Sequence, residues 1–222
     1  MKTATDTIPH NAMNKGYPIA PATLHIEGLD LAGKSTVCRL LRDRWNAEMR
    51  VNSILPPGEN TIHVEAERLR KADAIPVEPL GGLYYGALLR DLELYKPPEG
   101  RIVQDSSLIL RSIAFHEVFG SRALAAAFRA LLPRHPRFGA TVVIKASDEV
   151  RRMRLEGRCS RHNDNPEDFL IVRDPEGFHR MENILVETAV AEFGAILVDT
   201  SNLEQEGEKD RVVSLLLSKI HL

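Results

Sequence analysis

Ala22-Thr23-Leu24-His25-Ile26-Glu27-Gly28-Leu29-Asp30-Leu31-Ala32-Gly33-Lys34-Ser35-Thr36 is the stretch whose reading decides the fold. From Gly28 to Ser35 it fits Gly-x-x-x-x-Gly-Lys-Ser at every fixed position. The apolar run Ala22–Ile26 before it reads as a strand, and Thr36-Val37-Cys38-Arg39-Leu40-Leu41-Arg42 after it reads as a helix. A strand, a glycine-bounded loop and a helix N-terminus make a cradle for phosphate. Gly28 and Gly33 let the backbone turn tightly and approach a polyphosphate with no Cβ between them. Successive amides then point inward, and the helix N-terminus adds partial positive charge. Lys34 is placed to reach β- and γ-phosphates, and the Ser35 hydroxyl to ligate Mg²⁺. The alternative is a glycine-rich turn with a chance Lys-Ser, which the flanking strand and helix disfavour. The expected ligand is a nucleoside triphosphate with magnesium.

Working outward, strands and helices alternate along the chain. Residues 1–21 are polar and broken by Pro9, Gly16, Pro18 and Pro21, so they read as a loosely held extension. The domain proper is expected over 22–222. Its first strand covers about 22–27, and the helix after the loop is expected to run to about Met49. Val51-Asn52-Ser53-Ile54-Leu55 reads as a second strand stopped by Pro56-Pro57-Gly58. A charged helical stretch follows over 60–74. Leu83, Ala87, Leu88, Leu92 and Tyr95 lie at helical spacing within a helix over 80–95. Pro97-Pro98-Glu99-Gly100 is a turn. Arg101–Asp105 is a third strand, with helices over 107–118 and 121–132. Thr141–Ile144 is a fourth strand, and Ser147-Asp148-Glu149 carries a helix N-cap signature. A polar segment over 159–173, a helix over 175–192, a strand over 195–199 and a last helix from about 209 complete the pattern. The expected architecture is an α/β three-layer sandwich: about five parallel strands with helices on both faces.

Composition narrows the class. The chain has 222 residues, 43% hydrophobic and 27% charged, as one soluble α/β domain would. A net charge of −2 offers no broad basic surface for nucleic acid. The two cysteines, Cys38 and Cys159, lie far apart with no metal-like spacing, which suits a reduced, cytoplasmic setting. No apolar run reaches the ~18 residues a membrane span needs, and no export or transit signal is visible.

Three further features bear on chemistry. Asp105 ends a strand at the edge that lines the ligand crevice of doubly wound sheets. There a carboxylate holds Mg²⁺ or takes a proton from an attacking hydroxyl, or alternatively caps the helix that follows. Arg151, Arg152, Arg154, Arg158 and Arg161 run from a helix into a polar segment. Together they read as an arginine-rich lid over about 155–173 that balances charge in phosphoryl transfer; singly, each reads as a solvated helix face. Tyr84, Tyr85, Arg90 and Asp91 offer stacking and an acceptor grip, or else core packing with a surface ion pair. His25, His116 and Cys159 carry no assigned chemistry.

Glu27-Gly28-Leu29-Asp30-Leu31-Ala32-Gly33-Lys34-Ser35-Thr36 closely resembles the Glu-Gly-x-Asp-x-Ala-Gly-Lys-Ser-Thr loop of the thymidylate kinase family. Thr141–Val150 followed by Arg151–Arg158 looks like that family's strand, helix start and arginine-rich lid. Asp174–Met181 is similar to its next helix, and Val198-Asp199-Thr200-Ser201 to its final strand. The loop is highly specific as a phosphate loop; the later segments are specific to the family only in combination. The resemblance covers most of 22–222 and implies a P-loop kinase fold, commonly homodimeric, acting on ATP·Mg²⁺ and a nucleoside or nucleotide. It implies that Lys34 and Ser35 hold donor phosphates and Mg²⁺, that Asp30 contacts the acceptor sugar, that Arg154 packs near the donor adenine, and that Arg158 is a lid arginine near the transferred group. Some members carry a catalytic Arg directly after the loop Asp; here that position is Leu31. The family's Asp-Arg-Tyr is Asp105-Ser106-Ser107 in this chain, so the arginine that grips an acceptor phosphate is missing. Leu55-Pro56-Pro57-Gly58-Glu59 keeps only part of Arg-Glu-Pro-Gly-Gly. Arg111, one turn further on, is the expected substitute, with Tyr85, Arg90 and Asp30 completing the acceptor side. Kinases of other hydroxyl compounds, a regulatory P-loop NTPase and a degenerate binding module are the competing readings. No guanine-selecting Asn-Lys-x-Asp segment favours the regulatory one.

Overall fold

A computed structural model describes residues 19–160 and 166–219. The expected extension up to residue 18, and Arg161 of the arginine cluster, lie outside them. The elements run β1 (Ile19–Glu27), α1 (Lys34–Trp45), β2 (Glu48–Val51), α2 (Thr61–Lys71), α3 (Val77–Leu94), β3 (Ile102–Asp105), α4 (Leu108–Val118), α5 (Arg122–Leu131), β4 (Arg137–Lys145), α6 (Asp148–Cys159), α7 (Leu170–Arg173), α8 (Pro175–Phe193), β5 (Ile196–Asp199) and α9 (Glu208–Leu217). The strands form one sheet in the order β2-β3-β1-β4-β5, parallel at every pairing.

Side-chain alternation along the strands builds two separate cores. Leu24 and Ile26 of β1 point to one face, with Val103, Val142, Ile144 and Val198. There they meet Val37, Cys38, Leu41 and Trp45 of α1 and Val212, Val213 and Leu216 of α9. On the other face Val143 meets Leu88 of α3, Ile109 and Ile113 of α4, Phe128 of α5 and Phe178 and Leu185 of α8. The second-face residues of β1 are polar: Thr23, His25 and Glu27 are all buried. His25 packs on Phe138 at 4.4 Å between ring centres. Glu27 lies at the C-terminal end of the central strand, where the chain turns to β3 on one side and β4 on the other. That is the switch point at which doubly wound sheets hold their ligands.

Several boundaries differ from the sequence reading, β4 among them, which starts at Arg137 rather than Thr141. The helix expected to reach Met49 ends at Trp45, because Asn46 adopts a left-handed φ of 51° and closes it. The second strand is Glu48–Val51, not 51–55. Asn52, at φ 60°, turns the chain out of the sheet. Ile54 and Leu55 are buried as a strand would bury them, but inside a loop. That loop is satisfied by a side chain: the Ile54 N–H donates to Asp91 Oδ2 at 3.1 Å and the Ser53 hydroxyl to Asp91 Oδ1 at 2.6 Å. Asp91 is therefore a buried strut between α3 and this loop. The Ser147 cap is present, its hydroxyl accepting from Val150 N–H at 3.3 Å. β1 starts at Ile19, three residues before the expected domain boundary.

Candidate functional site

The glycine-bounded loop is held open from outside. Gly28 sits at φ 147°, and a Cβ there would fall 2.5 Å from the Ile144 carbonyl oxygen. Leu31 takes a left-handed φ of 65°, an uncommon state for a residue with a branched side chain. Such strain persists where the surroundings over-determine it. Here three successive carbonyls are claimed by distant side chains. Arg151 Nη1 donates to Asp30 O at 3.0 Å and Arg154 Nη1 to Leu31 O at 2.9 Å. Thr200 Oγ1 lies 2.5 Å from Ala32 O. In trans peptides a carbonyl and the next amide point opposite ways. Anchoring these three oxygens sets the opposite direction for the amides of Leu31, Ala32 and Gly33, of which the Ala32 N–H donates to Leu29 O at 3.4 Å within the loop. Gly33, at φ 89°, leads into α1, whose Lys34 and Ser35 amides precede the first backbone bonds, from Thr36 and Val37 N–H to Gly33 O at 3.1 Å.

Lys34 Nζ lies 2.5 Å from Asp105 Oδ1, joining the loop to the end of β3. Ser35 is exposed in the first turn of α1. The alternative role for Asp105 as a helix cap is not realised, since the N-cap position of α4 is Ser107. Beneath this pair lies Glu27, fully buried. Its Oε1 accepts from Gly28 N–H and the Ser106 hydroxyl, both at 3.0 Å, and its Oε2 accepts from Ser107 N–H at 3.0 Å. His25 Nε2 is 3.5 Å from the same Oε2. Burial works to raise the Glu27 pKa, but His25, Lys34 and Arg111 together outweigh it and hold it at about 2. Ser106 carries a left-handed φ of 63°, and its carbonyl takes Gln104 Nε2 at 2.8 Å. One carboxylate thus ties the start of the phosphate loop to the turn that aims Asp105.

The remaining predicted residues divide into groups. Asp30 accepts from Arg111 Nη2 at 3.0 Å, so the expected substitute for the missing arginine does stand beside the loop. Burial would raise the Asp30 pKa; Arg111 first, then Lys34 and Arg158, hold it below the ordinary value. Arg151 is fully buried among Ala146 O, Asp30 O, Glu182 and the face of Phe178, so it positions the loop and has no access to ligand. Arg154 bridges Leu31 O and Thr200 O, and its guanidinium borders Gly33. Burial above all pulls its pKa down; Glu204 opposes this, while the Arg151 and Arg158 charges add to it. Arg158 donates to both oxygens of Asp168, at 2.6 and 2.7 Å. Tyr85 packs edge-on to Phe128 at 5.4 Å, on the side of α3 that faces α5. Arg90, one helical turn beyond Gly86, has its Nε buried without a hydrogen-bond partner among the described residues. The structure therefore gathers Lys34, Asp105, Asp30, Arg111, Arg154 and Arg158 around the loop, and Tyr85 packs against the core cluster that includes Leu29 and Leu31 of that loop.

Sequence reasoning missed Glu182, Asp168, Thr200 and the central role of Glu27. Only Glu27 had a local signal: Thr23, His25 and Glu27 make a polar stripe along one face of an otherwise apolar central strand. A groove of about 460 Å³ runs along the outer edge of β2 against α2, lined by Met49, Val51, Pro57 and His63 among others, with no residue of the phosphate loop in its wall. Converging donors, not cavity size, mark the site. Among the described residues no group of three or more His, Cys, Asp or Glu side chains could hold a metal unaided, and no helix is long and apolar enough to cross a membrane. The donor set suits Mg²⁺, which commonly binds through one or two protein oxygens together with ligand phosphates.

No family model and no curated protein matches the chain. Solved structures share its fold. It superposes on deoxyadenosine kinase from M. mycoides, determined with products dCMP and dCDP bound, with a TM-score of 0.59 and 18% identity, covering 89% of this chain and 97% of that one. The dCTP-bound form of that enzyme gives a TM-score of 0.57 at 18% identity over 88% of this chain and 99% of that one. Thymidylate kinase from Candida albicans gives 0.60 at 15% identity over 88% and 89%. At such identities the likeness establishes the fold alone, a five-stranded parallel sheet with helices on both faces that this chain shares with those kinases.

Proposed function

We propose that the protein is an ATP-dependent kinase that transfers a γ-phosphoryl group to a hydroxyl of a nucleoside or nucleotide. The observation that carries this is the Lys34–Asp105 pair, which sets a cation from the phosphate cradle against a carboxylate at the sheet's switch point. A regulatory NTPase needs the cradle but has no use for a second, acceptor-facing wall of Asp30 and Arg111. The fold shared with nucleoside and nucleotide kinases supports the same reading.

In this reading the loop from Gly28 to Thr36 receives the triphosphate, its inward amides and Lys34 meeting the β- and γ-phosphates. Ser35 and Asp105 would hold the accompanying Mg²⁺, which supplies charge neutralisation for the phosphates. Arg154 lies where the donor enters. Asp30 and Arg111 orient the acceptor, and Asp105 takes the proton of its hydroxyl. As the acceptor oxygen bonds to the γ-phosphorus, the bond from that phosphorus to the β-phosphate oxygen breaks and ADP leaves. Arg158 and Arg154 stabilise charge spread over the equatorial oxygens. Most of the acceleration comes from alignment and preorganised charge.

The test is a phosphoryl-transfer screen with ATP·Mg²⁺ against a panel of nucleosides and monophosphates, read as mass gain on the acceptor. Wild-type protein should modify at least one member, and Lys34→Ala, checked for intact folding by its thermal transition, should lose nearly all transfer. Near-normal turnover by Lys34→Ala removes the catalytic reading of the loop.

A further inference from the structure

Leu31 is clamped in its left-handed state from both sides of its Cα. Its φ of 65° is a rotation of the planar Asp30–Leu31 peptide about the Leu31 N–Cα bond. Arg151 fixes that plane through Asp30 O at 3.0 Å. Arg154 fixes the next plane through Leu31 O at 2.9 Å and is itself braced on Thr200 O at 2.9 Å. Both arginines come from α6, three residues apart and so on one face of the helix. A residue with a Cβ relaxes out of the left-handed region unless its surroundings forbid it. The two guanidinium groups are that constraint.

A guanidinium can set a peptide plane only if it is held in place itself. Arg151 is fully buried and fixed in three directions. Its Nε donates to Ala146 O at 3.0 Å, its Nη2 donates to Glu182 Oε1, and its Cζ lies 4.8 Å from the centre of the Phe178 ring. Phe178 and Glu182 are four residues apart on α8, so they present one face to Arg151. Glu182 supplies the counter-charge that lets a guanidinium stay out of water. The carboxylate is pinned in turn, because its Oε2 takes Lys145 Nζ at 3.2 Å from the end of β4. A contiguous chain of bonds therefore runs from the loop to α6, on to α8 and back to the sheet.

We infer that Glu182 is a positioning residue for nucleotide binding: acting through Arg151, it keeps the Asp30–Leu31 peptide turned as the bound triphosphate requires. This rests on reading the glycine-bounded loop as the nucleotide site, and it names a residue on another element on which that site depends. A Gln at 182 still offers Arg151 an acceptor oxygen but no counter-charge. The guanidinium is then an uncompensated buried cation and is driven to leave its slot. Asp30 O is released, and Leu31 relaxes towards negative φ. The loop then presents a different backbone to phosphate.

The test is calorimetric titration of the full chain with Mg²⁺ and a non-hydrolysable ATP analogue, each variant being used below its own thermal transition. Glu182→Gln should weaken binding by about tenfold, as for residues that act through a packed network. Arg151→Met should weaken it at least as much. In the double variant, Glu182→Gln should add nothing further, because its route to the loop is already cut. Gly81→Ala, a packing change in α3, is the control for mere destabilisation: it should lower the thermal transition while affinity stays within about twofold of wild type. Where Glu182→Gln does not fold, Glu182→Asp replaces it, with an expected loss of about threefold. Where Arg151→Met does not fold, Arg151→Lys enters the cycle, since an ammonium cannot reproduce the planar fork. A wild-type chain that does not bind the analogue removes the nucleotide reading and this inference together. If wild type binds, unchanged affinity in Glu182→Gln overturns the inference alone. So do additive losses in the double variant, or a loss in Gly81→Ala equal to that in Glu182→Gln.

Discussion

Replacing Glu27 with Gln tests whether one buried charge organises the site. The substitution preserves shape. The amide Oε1 can still accept from Gly28 N–H and the Ser106 hydroxyl, as Glu27 Oε1 does. The amide Nε2 then faces Ser107 N–H, donor against donor, where a carboxylate oxygen had accepted at 3.0 Å. An unsatisfied buried donor of this kind costs about 1–3 kcal/mol. The charge gives a second measure: the gap between an ordinary 4.5 and about 2 corresponds to ~3 kcal/mol of stabilisation at neutral pH. Both measures count the same carboxylate, so the expected loss at pH 7 is about 3 kcal/mol, not their sum.

The pH dependence follows from the sign of the shift. The folded pKa lies below the unfolded one, so the stabilisation is complete above pH 4.5 and drains away as pH falls towards 2. By pH 3 roughly 2 kcal/mol of it should be gone, so wild type and Glu27→Gln should differ by only about 1 kcal/mol there. Subtracting the variant removes the contribution of every other carboxylate. The assay is urea denaturation at several pH values between 7 and 3. It can be followed by the fluorescence of Trp45, the only tryptophan, which is buried at the end of α1. A wild-type-minus-variant difference that stays constant from pH 7 to pH 3, or a variant as stable as wild type at pH 7, refutes the reasoning.

Other outcomes follow from the same geometry. Gly81→Ala would place a Cβ 2.5 Å from two ring atoms of the buried His116 and 2.8 Å from Leu124, so it should lower stability by about 1–3 kcal/mol despite the better helix propensity of Ala; an unchanged or raised Tm counts against this packing. Arg151→Met leaves Glu182 with Lys145 alone at 3.2 Å and removes the donors to Ala146 O and Asp30 O, so it should cost about 3–5 kcal/mol in chemical denaturation, and a loss under about 1 kcal/mol contradicts the strut role. Arg158→Ala should lower the turnover of phosphoryl transfer more than the affinity for ATP; equal losses in both would assign Arg158 to binding only.

The fold was legible where pattern and physics coincide. Five apolar strands, each short and separated by helical periodicity, left little choice but a parallel sheet with covered faces. The second strand was misplaced because Ile54 and Leu55 look like a buried strand. They are buried, but Asp91, thirty-odd residues later, supplies the acceptors a neighbouring strand would have supplied. Local reading cannot see a partner at that distance. The site shows the same division. Lys34, Ser35 and Asp105 announced themselves by motif and strand end. Glu27 did not, because its importance lies in three donors from two separate loops that meet only after β1 and β3 pair.

The amino-acid order by itself determined that a glycine-bounded loop, the proposed phosphate cradle, sits between a central strand and a helix. A tight turn and a helix N-terminus are both local consequences of backbone sterics. Which carbonyls are pulled outward to open that cradle was decided in three dimensions. Arg151 and Arg154 reach it from α6 and Thr200 from the end of β5.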